Sequence, residues 1–447
     1  MTQATQSSAE RPFARKGDPR TAPVRPDATT TPDAAKPLRP IVQSGRVDIS
    51  DIEDLRGEEL RLELVRRAGE LVPLLAANAE ATENNRRVVE ANIEAIREAG
   101  LIKITTPRRH GGLETDMRTK LDVSRELARG CGSTAWVVTL LNVCAWFVTM
   151  GGKALQDDIW GDNPDARIAG VFAPSATSRW TEGGLIVSGK WAWASGCLHA
   201  DWALVGVPMV DRDGQQVDQG FALIPMDELV IEDTWFVVGM KGTGSNTLIA
   251  DDVFIPNRRI VSVPALIEGT APSQSAGGTL ERSSFIPVAA LALVGPQLGL
   301  CAQAFDYVQG KALTRGISYS FYDRQADSPS FQLGLAEAAS KVDAAHLFAY
   351  RAADVIDTAA REGRNLDYLE RARIRMDVGC AITFAREAVD QLISIHGAGT
   401  FAAVSPLQRI WRDVETGGRH AVISPTISAE VYGRALVGIE GGVTALV

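Results

Sequence analysis

The chain alternates between two spacings of hydrophobic positions, one typical of helices and one typical of strands. From about residue 50, apolar side chains recur every three or four residues, which predicts amphipathic helices. The first stripe consists of Leu60, Leu64, Ala68, Leu71 and Leu75. A second stripe ends at Gly100, and the segment 119–152 predicts two further helices, broken around Gly130–Gly132. The later of these is apolar on nearly every side, so it is predicted to be buried.

Between about 167 and 262 the spacing becomes that of strands. Short β-branched and aromatic runs, such as "DWALVGVPMV", are separated by Gly, Pro, Asp and Asn, which predicts a compact antiparallel sheet or barrel. Long, Ala-rich amphipathic helices then continue to the C-terminus. The predicted α+β organisation has an N-terminal helical domain over 49–166, a central β domain over 167–275 and a C-terminal helical bundle over 276–447.

Composition changes this picture mainly at the N-terminus. Residues 1–48 hold seven of the 21 prolines without apolar periodicity, which predicts a disordered tail. The net charge of -9 argues against nucleic acid or an anionic membrane as the main partner. No apolar run is expected to reach the roughly 18–20 residues of a membrane span. The five cysteines are far apart and form no CxxC pair, which favours free thiols in a reducing cytoplasm.

Several common sites are missing from the sequence. It contains neither a GxxxxGK[ST] phosphate loop nor an HExxH motif. The glycine-rich "GMKGTGSN" precedes a strand-like run rather than a helix, so it predicts no cradle for a nicotinamide dinucleotide. The five histidines are not at metal-ligand spacings with carboxylates or thiols, and no metal site is expected.

Four local motifs, in this order, resemble the acyl-CoA dehydrogenase superfamily. "TTPRRHGG" resembles its Pro-x-x-x-Gly-Gly turn, and "GMKGTGSNTLIADDVFIP" its strand pair ending in Val-x-Val-Pro. "FQLGLAEAASKV" resembles the start of a bundle helix, and "GAGTFAAVSPLQRIWRD" the stretch that leads to an Arg-Asp pair. The resemblance covers everything after the tail. It implies the acyl-CoA dehydrogenase-like fold, with a C-terminal four-helix bundle, and a homotetramer.

The departures from that pattern point to one branch. A common dehydrogenase pattern has a catalytic Glu eight positions after the Arg-Asp pair, where this chain has Ala421, which cannot accept a proton. "KWAWASGCLHADW" resembles the two-component flavin monooxygenases. Members of that branch take reduced FAD or FMN from a separate NAD(P)H:flavin reductase. They use O2, through C4a-hydroperoxyflavin, to hydroxylate aromatic or polyketide substrates, so we expect a small-molecule aromatic substrate here.

The resemblance also assigns residues to the site. Ser195 is expected beside flavin N5. His396 is expected above the flavin as the base that removes a phenol proton, since imidazole titrates near neutral pH. Further cofactor contacts are expected from Trp193, Gly196, Arg282, Arg315, Gln332, Gly397 and Gly399. Substrate contacts are expected from His110, Asn142, Trp146, Thr243, Ser245 and His420.

Three other functions stay open at this point. N-hydroxylation of an amine or amino sugar would use the same chemistry without a base for a phenol. An acyl-CoA dehydrogenase with a relocated base would hold oxidised FAD tightly. A non-catalytic subunit of the same fold would bind no flavin in either redox state. The sequence does not decide between FMN and FAD, and it does not name the substrate.

Overall fold

The structure is a computed structural model that describes residues 38–40, 46–274 and 278–447. The predicted disordered segment 1–48 lies mostly outside these residues. Within it, Leu38 forms a single β-bridge to Ile231. Val47 is buried, and its N–H donates to the Asp165 carboxylate at 2.5 Å. The described residues of this segment therefore pack against the folded body, and disorder of the rest stays a prediction.

Helices make up the first part of the fold. They are α1 (Gly57–Ala77), α2 (Ala79–Asn84), α3 (Glu90–Glu98), α4 (Met117–Ala128), α5 (Gly132–Met150) and α6 (Lys153–Trp160). The predicted stripe of α1 is buried, apart from a half-buried Leu71. The break between α4 and α5 has a packing cause. A Cβ on Gly130 would lie 2.6 Å from Leu75, and one on Gly132 would lie 2.8 Å from Leu300. Glycine at both positions thus lets α1, which carries Leu75, and the later helix that carries Leu300 pack closely against the break.

Two four-stranded sheets follow. Their strands are β1 (Ile168–Val171), β2 (Ala176–Thr181), β3 (Gly184–Ala194), β4 (Trp202–Val210), β5 (Gln216–Pro225), β6 (Val230–Glu232), β7 (Asn246–Pro256) and β8 (Ile260–Ser262). The strand orders are β1-β4-β5-β8 and β2-β3-β7-β6. β1 pairs with β4 in parallel, and the other described pairings are antiparallel. Parallel pairing needs a long crossover, and the β2–β3 hairpin of the other sheet provides it.

The C-terminal domain returns to helices. They are α7 (Val263–Glu268), α8 (Thr279–Arg282), α9 (Phe285–Ala292), α10 (Val294–Lys311), α11 (Pro329–Glu362), α12 (Tyr368–His396), α13 (Pro406–Gly417) and α14 (Pro425–Leu436). α11 and α12 form the largest helix pair, α10 packs on both, and α14 packs along α12. The main hydrophobic core continues from these helices into α4 and α5, so the domains share one interior.

Two segments are long and apolar enough to cross a membrane by length and composition, namely α5 and the run Phe285–Lys311. Nearly all their residues are buried inside the fold, as in the core helices of a globular domain. The expectation that no apolar segment reaches this length was therefore wrong. Polar residues such as Thr139 and Asn142 interrupt α5 in the sequence, but α5 remains one continuous buried helix.

Candidate active site

β3 ends in an irregular segment that leads to Ser195. Its pairing with β7 shifts register between Trp191 and Ala194. Trp193, in this segment, has a left-handed backbone with φ of 72°, which is strained for a bulky residue. The Trp193 indole is 47% exposed and meets Trp235 edge-on, with ring centroids 5.0 Å apart. The distortion thus leaves an aromatic face open next to Ser195.

Three hydroxyl groups form a chain with a defined direction. Thr243 Oγ1 donates its proton to the Met240 carbonyl at 2.9 Å, so it must accept from Ser245 Oγ, 2.6 Å away. Ser245 then accepts from Ser195 Oγ at 2.7 Å, and Trp136 Nε1 donates to Ser195 Oγ at 3.3 Å. A hydroxyl oxygen has two lone pairs. Ser195 therefore points its proton into the protein and keeps one lone pair to accept a further hydrogen bond.

The turn 239–245, which carries this chain of hydroxyls, is fixed by α13. The Met240 N–H donates to the Asp413 carboxylate at 2.5 Å. Asp413 is buried, and this burial raises its pKa to about 6. A Cβ on Gly239 would lie 2.1 Å from the Arg412 carbonyl oxygen, so the glycine permits this close contact. The Arg-Asp pair of the motif is therefore an anchor for the turn.

α13 also leads to His420. The His420 ring centroid lies 6.0 Å from that of Trp136, and Nδ1 accepts from the Val422 N–H at 3.3 Å. The side chain is exposed, yet the protein around it lowers the pKa of His420 to about 4 by desolvation. The ring is therefore open to solvent on one side and surrounded by protein on the other. At neutral pH the ring is neutral, and since Nδ1 accepts, Nε2 carries the proton.

An apolar wall extends from this point along α5. Trp136, Leu140, Cys144 and Phe147 follow one another at helical spacing on one face of the helix. Leu140 is half-buried, whereas the rest of α5 is buried. Phe147 lies 5.0 Å from Phe172 between ring centroids, and burial alone raises the pKa of the Cys144 thiol to about 12. These aliphatic, thiol and aromatic groups thus form an apolar face of α5 that begins at Trp136, beside His420.

His396 lies in a different cluster, on the helical domain. Its Nε2 accepts from the Arg315 guanidinium at 3.1 Å, and the Tyr307 ring meets it edge-on at 5.7 Å. Burial first, and then the charges of Arg315 and Lys311, together lower the pKa of His396 to about 4. A general base needs a free nitrogen and a pKa nearer the working pH. The geometry therefore argues against the predicted base role.

The donors around His396 suit an anionic group. His396 Nδ1 is buried without a hydrogen-bond partner, and it carries the proton because Nε2 accepts from Arg315. Gly397 has φ of 87° and open space where a Cβ would be, and a Cβ on Gly399 would lie 2.8 Å from the Arg315 guanidinium. The cluster thus offers a guanidinium on one side of the imidazole and an N–H on the other, and a guanidinium suits phosphate. Ser195, in the other cluster, offers an acceptor that suits a ring N–H, so the residues present fit parts of a flavin nucleotide.

Comparison with known proteins agrees with this geometry. The family models for the acyl-CoA dehydrogenase N-terminal domain and C-terminal domain match residues 59–161 and 291–425. A flavin-dependent monooxygenase, the oxygenase subunit HsaA of Rhodococcus jostii (strain RHA1), is 34% identical over 388 residues. The match covers 84% of this chain and 98% of the relative. The chain belongs to the flavin-dependent monooxygenases.

Two further proteins that resemble this monooxygenase in sequence or structure point to the same family. The oxygenase component of an FADH(2)-dependent resorcinol hydroxylase from Rhizobium sp. (strain MTP-10005) is 34% identical, covering 84% of this chain and 94% of the relative. The solved structure of XiaF from Streptomyces sp., in complex with FADH2 and glycerol, is 38% identical with a TM-score of 0.82. It covers 86% of this chain and 96% of XiaF. These likenesses confirm the predicted acyl-CoA dehydrogenase-like fold and the oxygenase branch rather than the dehydrogenase alternative.

The structure gathers only some of the predicted site residues of the monooxygenase. Ser195, Thr243 and Ser245 are linked by hydrogen bonds, and Trp136 connects them to His420. Trp193 and Gly196 flank Ser195, and the Gly196 N–H donates to the Thr243 carbonyl at 3.1 Å. Arg315, His396, Gly397 and Gly399 form the second cluster. Gln332 is exposed and donates to the Ala326 carbonyl at 2.7 Å. The predicted single site is thus divided into two groups of residues.

Three other predicted residues make structural contacts. Asn142 donates to two main-chain carbonyls, at 2.9 and 3.0 Å. Trp146 Nε1 donates to the Leu280 carbonyl at 2.8 Å, and Arg282 Nε donates to the Ala360 carbonyl at 3.3 Å. Asn142 and Trp146 thus hold buried segments together, and their contacts with the substrate stay predictions. Arg282 lies apart from Arg315, and its predicted flavin contact has no support in this geometry. The remaining predicted residue, His110, packs on Trp160 with ring centroids 5.4 Å apart, and its contact with the substrate stays a prediction.

Sequence reasoning missed two residues of the site. Trp136 donates to Ser195 and packs near His420, yet in the sequence it is one of several aromatic residues on an apolar helix. In the sequence, Asp413 is visible only as part of the Arg-Asp motif. It lies in the last part of α13, and His420 follows three residues after that helix ends, so their closeness in sequence is the available signal.

Proposed function

We propose that this monooxygenase hydroxylates the ring of an apolar phenol with O2 and reduced flavin, which a separate NAD(P)H:flavin reductase supplies. The relatives named as oxygenase components support the proposal that flavin is reduced on one protein and used for oxygenation on another. Bound reduced flavin supplies the electrons that activate O2. The work of this chain is to bind the flavin in the reduced state, to exclude water and to orient the phenol.

The observation that carries the proposal is the direction of the hydroxyl chain. Reduced flavin has an N–H at N5, whereas oxidised flavin has a bare nitrogen there that can only accept. Ser195 gives its own proton to Ser245 and offers a lone pair outward, so it matches the reduced state. The open face of Trp193 provides a flat apolar surface for the ring system beside it.

His420 is the proposed contact for the substrate hydroxyl. We propose that its Nε2–H donates to the phenol oxygen beside the apolar face of α5 and stabilises the phenolate form, whose proton passes to solvent at this exposed position. A phenolate ring is richer in electrons than a phenol ring, so it is the better acceptor of an electrophilic oxygen atom. The apolar wall from Trp136 to Phe172 suits a substrate whose remaining surface is hydrocarbon.

The Arg315–His396 cluster is the proposed contact for flavin phosphate, and we propose that it serves a neighbouring subunit. Beside it, the segment 312–328 carries strongly exposed aromatic side chains on the surface of the chain. Tyr319, at φ of 59°, and Phe321 are both fully exposed, which is unusual unless another surface covers them. A homotetramer would cover them and would complete the flavin site with residues of two subunits.

We also propose that the enzyme works in the cytoplasm. All five cysteines lie in the described part of the chain as free thiols, and burial raises the pKa of each. Thiols of this kind suit a reducing compartment. A flavin reductase that uses NAD(P)H would have its electron source in the same compartment.

The test is reconstitution with an unrelated flavin reductase, NADH, FAD and β-naphthol under isotopically labelled dioxygen. We expect a dihydroxynaphthalene that carries one labelled oxygen atom, and no product when oxidised FAD is supplied without the reductase. His420→Ala is the matched site variant, and His346→Ala is the control because that half-buried histidine bonds only to its own helix. Labelled product from an amine but from no phenol would favour N-hydroxylation, and bleaching of bound FAD by an acyl-CoA would favour dehydrogenation.

A further inference from the structure

The turn 239–245, which carries the chain of hydroxyls, contacts α2 as well as α13. A Cβ on Gly242 would lie 2.3 Å from the Thr82 side chain, and one on Gly244 would lie 3.0 Å from the Arg86 carbonyl oxygen. Gly244 also has a left-handed backbone, with φ of 55°. Glycine at these two positions lets the turn pack directly on the end of α2 and on the residues that follow it.

One carboxylate on α2 meets cations from both of the other elements. Glu83 Oε1 lies 2.6 Å from the Arg412 guanidinium and 3.5 Å from Lys241 Nζ. Glu83 Oε2 lies 3.9 Å from the Arg409 guanidinium. Lys241 belongs to the turn, whereas Arg409 and Arg412 belong to α13. Glu83 is therefore a counter-ion that α2 supplies to the turn and to α13 together.

This group of charges is sheltered from most of the solvent. The Glu83 side chain is 14% exposed and that of Arg412 is 19% exposed. Burial acts to raise the pKa of Glu83, but the hydrogen bond from Arg412 and the nearby positive charges outweigh it, so the pKa is below its ordinary value. Glu83 is thus ionised at neutral pH. Without its charge, three cations would surround a neutral group and would repel one another.

We propose that Glu83 is a positioning residue for the flavin: its charge holds the turn 239–245 in place, so that the Ser195 hydroxyl keeps its orientation. The bond to α13 fixes the start of the turn. Lys241 follows at once, and its ion pair with Glu83 holds the part that leads to Thr243. The inference rests on the proposed function, because it takes the outward lone pair of Ser195 as the acceptor for the flavin N5–H.

The experiment measures the anaerobic dissociation constants of the full-length protein for FAD and for reduced FAD. Glu83→Gln keeps the size of the side chain and removes its charge. The ratio of the oxidised to the reduced constant should fall by up to about fivefold, which is the net value of one hydrogen bond from N5–H to Ser195. Glu80→Gln is the matched control, since it removes an exposed charge from the same helix and should leave the ratio unchanged.

A second measurement needs no flavin. The amides of the turn are bonded within it, as in the bond from the Thr243 N–H to the Met240 carbonyl at 3.2 Å. Amide hydrogen exchange of peptides from this turn should therefore be several-fold faster in Glu83→Gln than in the wild type or in Glu80→Gln. Faster exchange with an unchanged ratio would give Glu83 a structural role alone and would overturn the positioning role.

A Ser195→Ala background shows whether the effect passes through the hydroxyl. In that background Glu83→Gln should no longer change the ratio of the two constants. A change that persists there would mean that the charge acts on the flavin directly, which would also overturn the positioning role. Lys241→Gln removes the other end of the ion pair, should lower the ratio in the same way, and replaces Glu83→Gln if that variant does not fold.

The remaining outcomes separate this inference from the function on which it rests. Wild-type ratios in both Glu83→Gln and Lys241→Gln would overturn the inference alone. A wild-type ratio in Ser195→Ala would overturn it together with the reduced-flavin site. A ratio that depends on Glu83, in a protein that hydroxylates no phenol, would support the positioning role and overturn only the proposed reaction.

Discussion

Thr243→Val would reverse the direction of the hydroxyl chain. Valine has the shape of threonine but no hydroxyl, so Ser245 loses its acceptor and turns its proton to Ser195. Ser195 then turns its own proton outward, where it faces flavin N5. Met240 still accepts from Trp235 Nε1 at 3.0 Å, so the turn keeps that bond. The variant should therefore favour oxidised flavin over reduced flavin.

The size of the effect follows from the bonds involved. Reduced flavin loses one hydrogen bond, with a net value of about 1 kcal/mol, and its N5–H and the Ser195 hydroxyl are then two donors facing each other. The mismatch adds about 1 kcal/mol or more. A total of about 2 kcal/mol corresponds to a midpoint potential about 40 mV more negative for a two-electron couple. Equivalently, the preference for reduced flavin falls by roughly thirtyfold.

Anaerobic redox titration of the bound flavin measures this shift, and titration with FAD and reduced FAD gives the two dissociation constants. Thr243→Ser keeps the hydroxyl and serves as the control, with an expected potential near that of the wild type. If Thr243→Val binds reduced and oxidised flavin in the wild-type ratio, Ser195 does not accept from N5–H. The argument for a reduced-flavin site would then fail.

Three further predictions concern the other residues of the site. His420→Ala should lower the hydroxylation rate at saturating flavin roughly a hundredfold and leave flavin affinity unchanged, and stopped-flow kinetics with normal turnover would contradict its role. His396→Ala should have the opposite profile, with flavin binding about tenfold weaker by fluorescence titration and most of the saturated rate retained. Asp413→Asn keeps the bond to Met240 but removes a carboxyl whose pKa is raised by burial to about 6. The folded wild type holds that proton more tightly than the unfolded chain, so its stability falls as pH rises from about 4 to 6. The variant should gain up to roughly 3 kcal/mol relative to the wild type over this range in urea unfolding, and parallel pH curves would refute it.

Much of the fold could be predicted from local patterns in the sequence. The stripe on α1, the break before α5 and the change of period at the strands each depend on neighbours within a few turns. The structure has all three where the patterns put them. The parallel pairing of β1 with β4 could not be predicted in this way, because it depends on a crossover through another sheet.

The site was harder to predict because its residues meet only in three dimensions. Ser195 and His420 were named from motifs, but the tryptophan between them belongs to a third segment without a motif. His396 was a reasonable candidate for a base on its sequence neighbours. Its partner Arg315 is 81 positions away, and that contact occupies its nitrogen. Burial, with the charge of Arg315 added to it, lowers its pKa. A histidine therefore cannot be assigned as a base before its partners are known.

The bond between Met240 and Asp413 connects the two ends of the reaction. On one side it holds the turn whose hydroxyls are proposed to select the redox state of the flavin, and on the other it holds the helix that ends three residues before His420. The separation between the proposed cofactor contact and the proposed substrate contact therefore depends on this bond from a main-chain N–H to a side-chain carboxylate and on Trp136, and not on the rest of the α5 wall. Side chains on α5 can be exchanged to admit larger or smaller rings while that separation stays constant. A catalyst for new phenols could thus be obtained by altering the wall alone, with the turn and α13 left as they are.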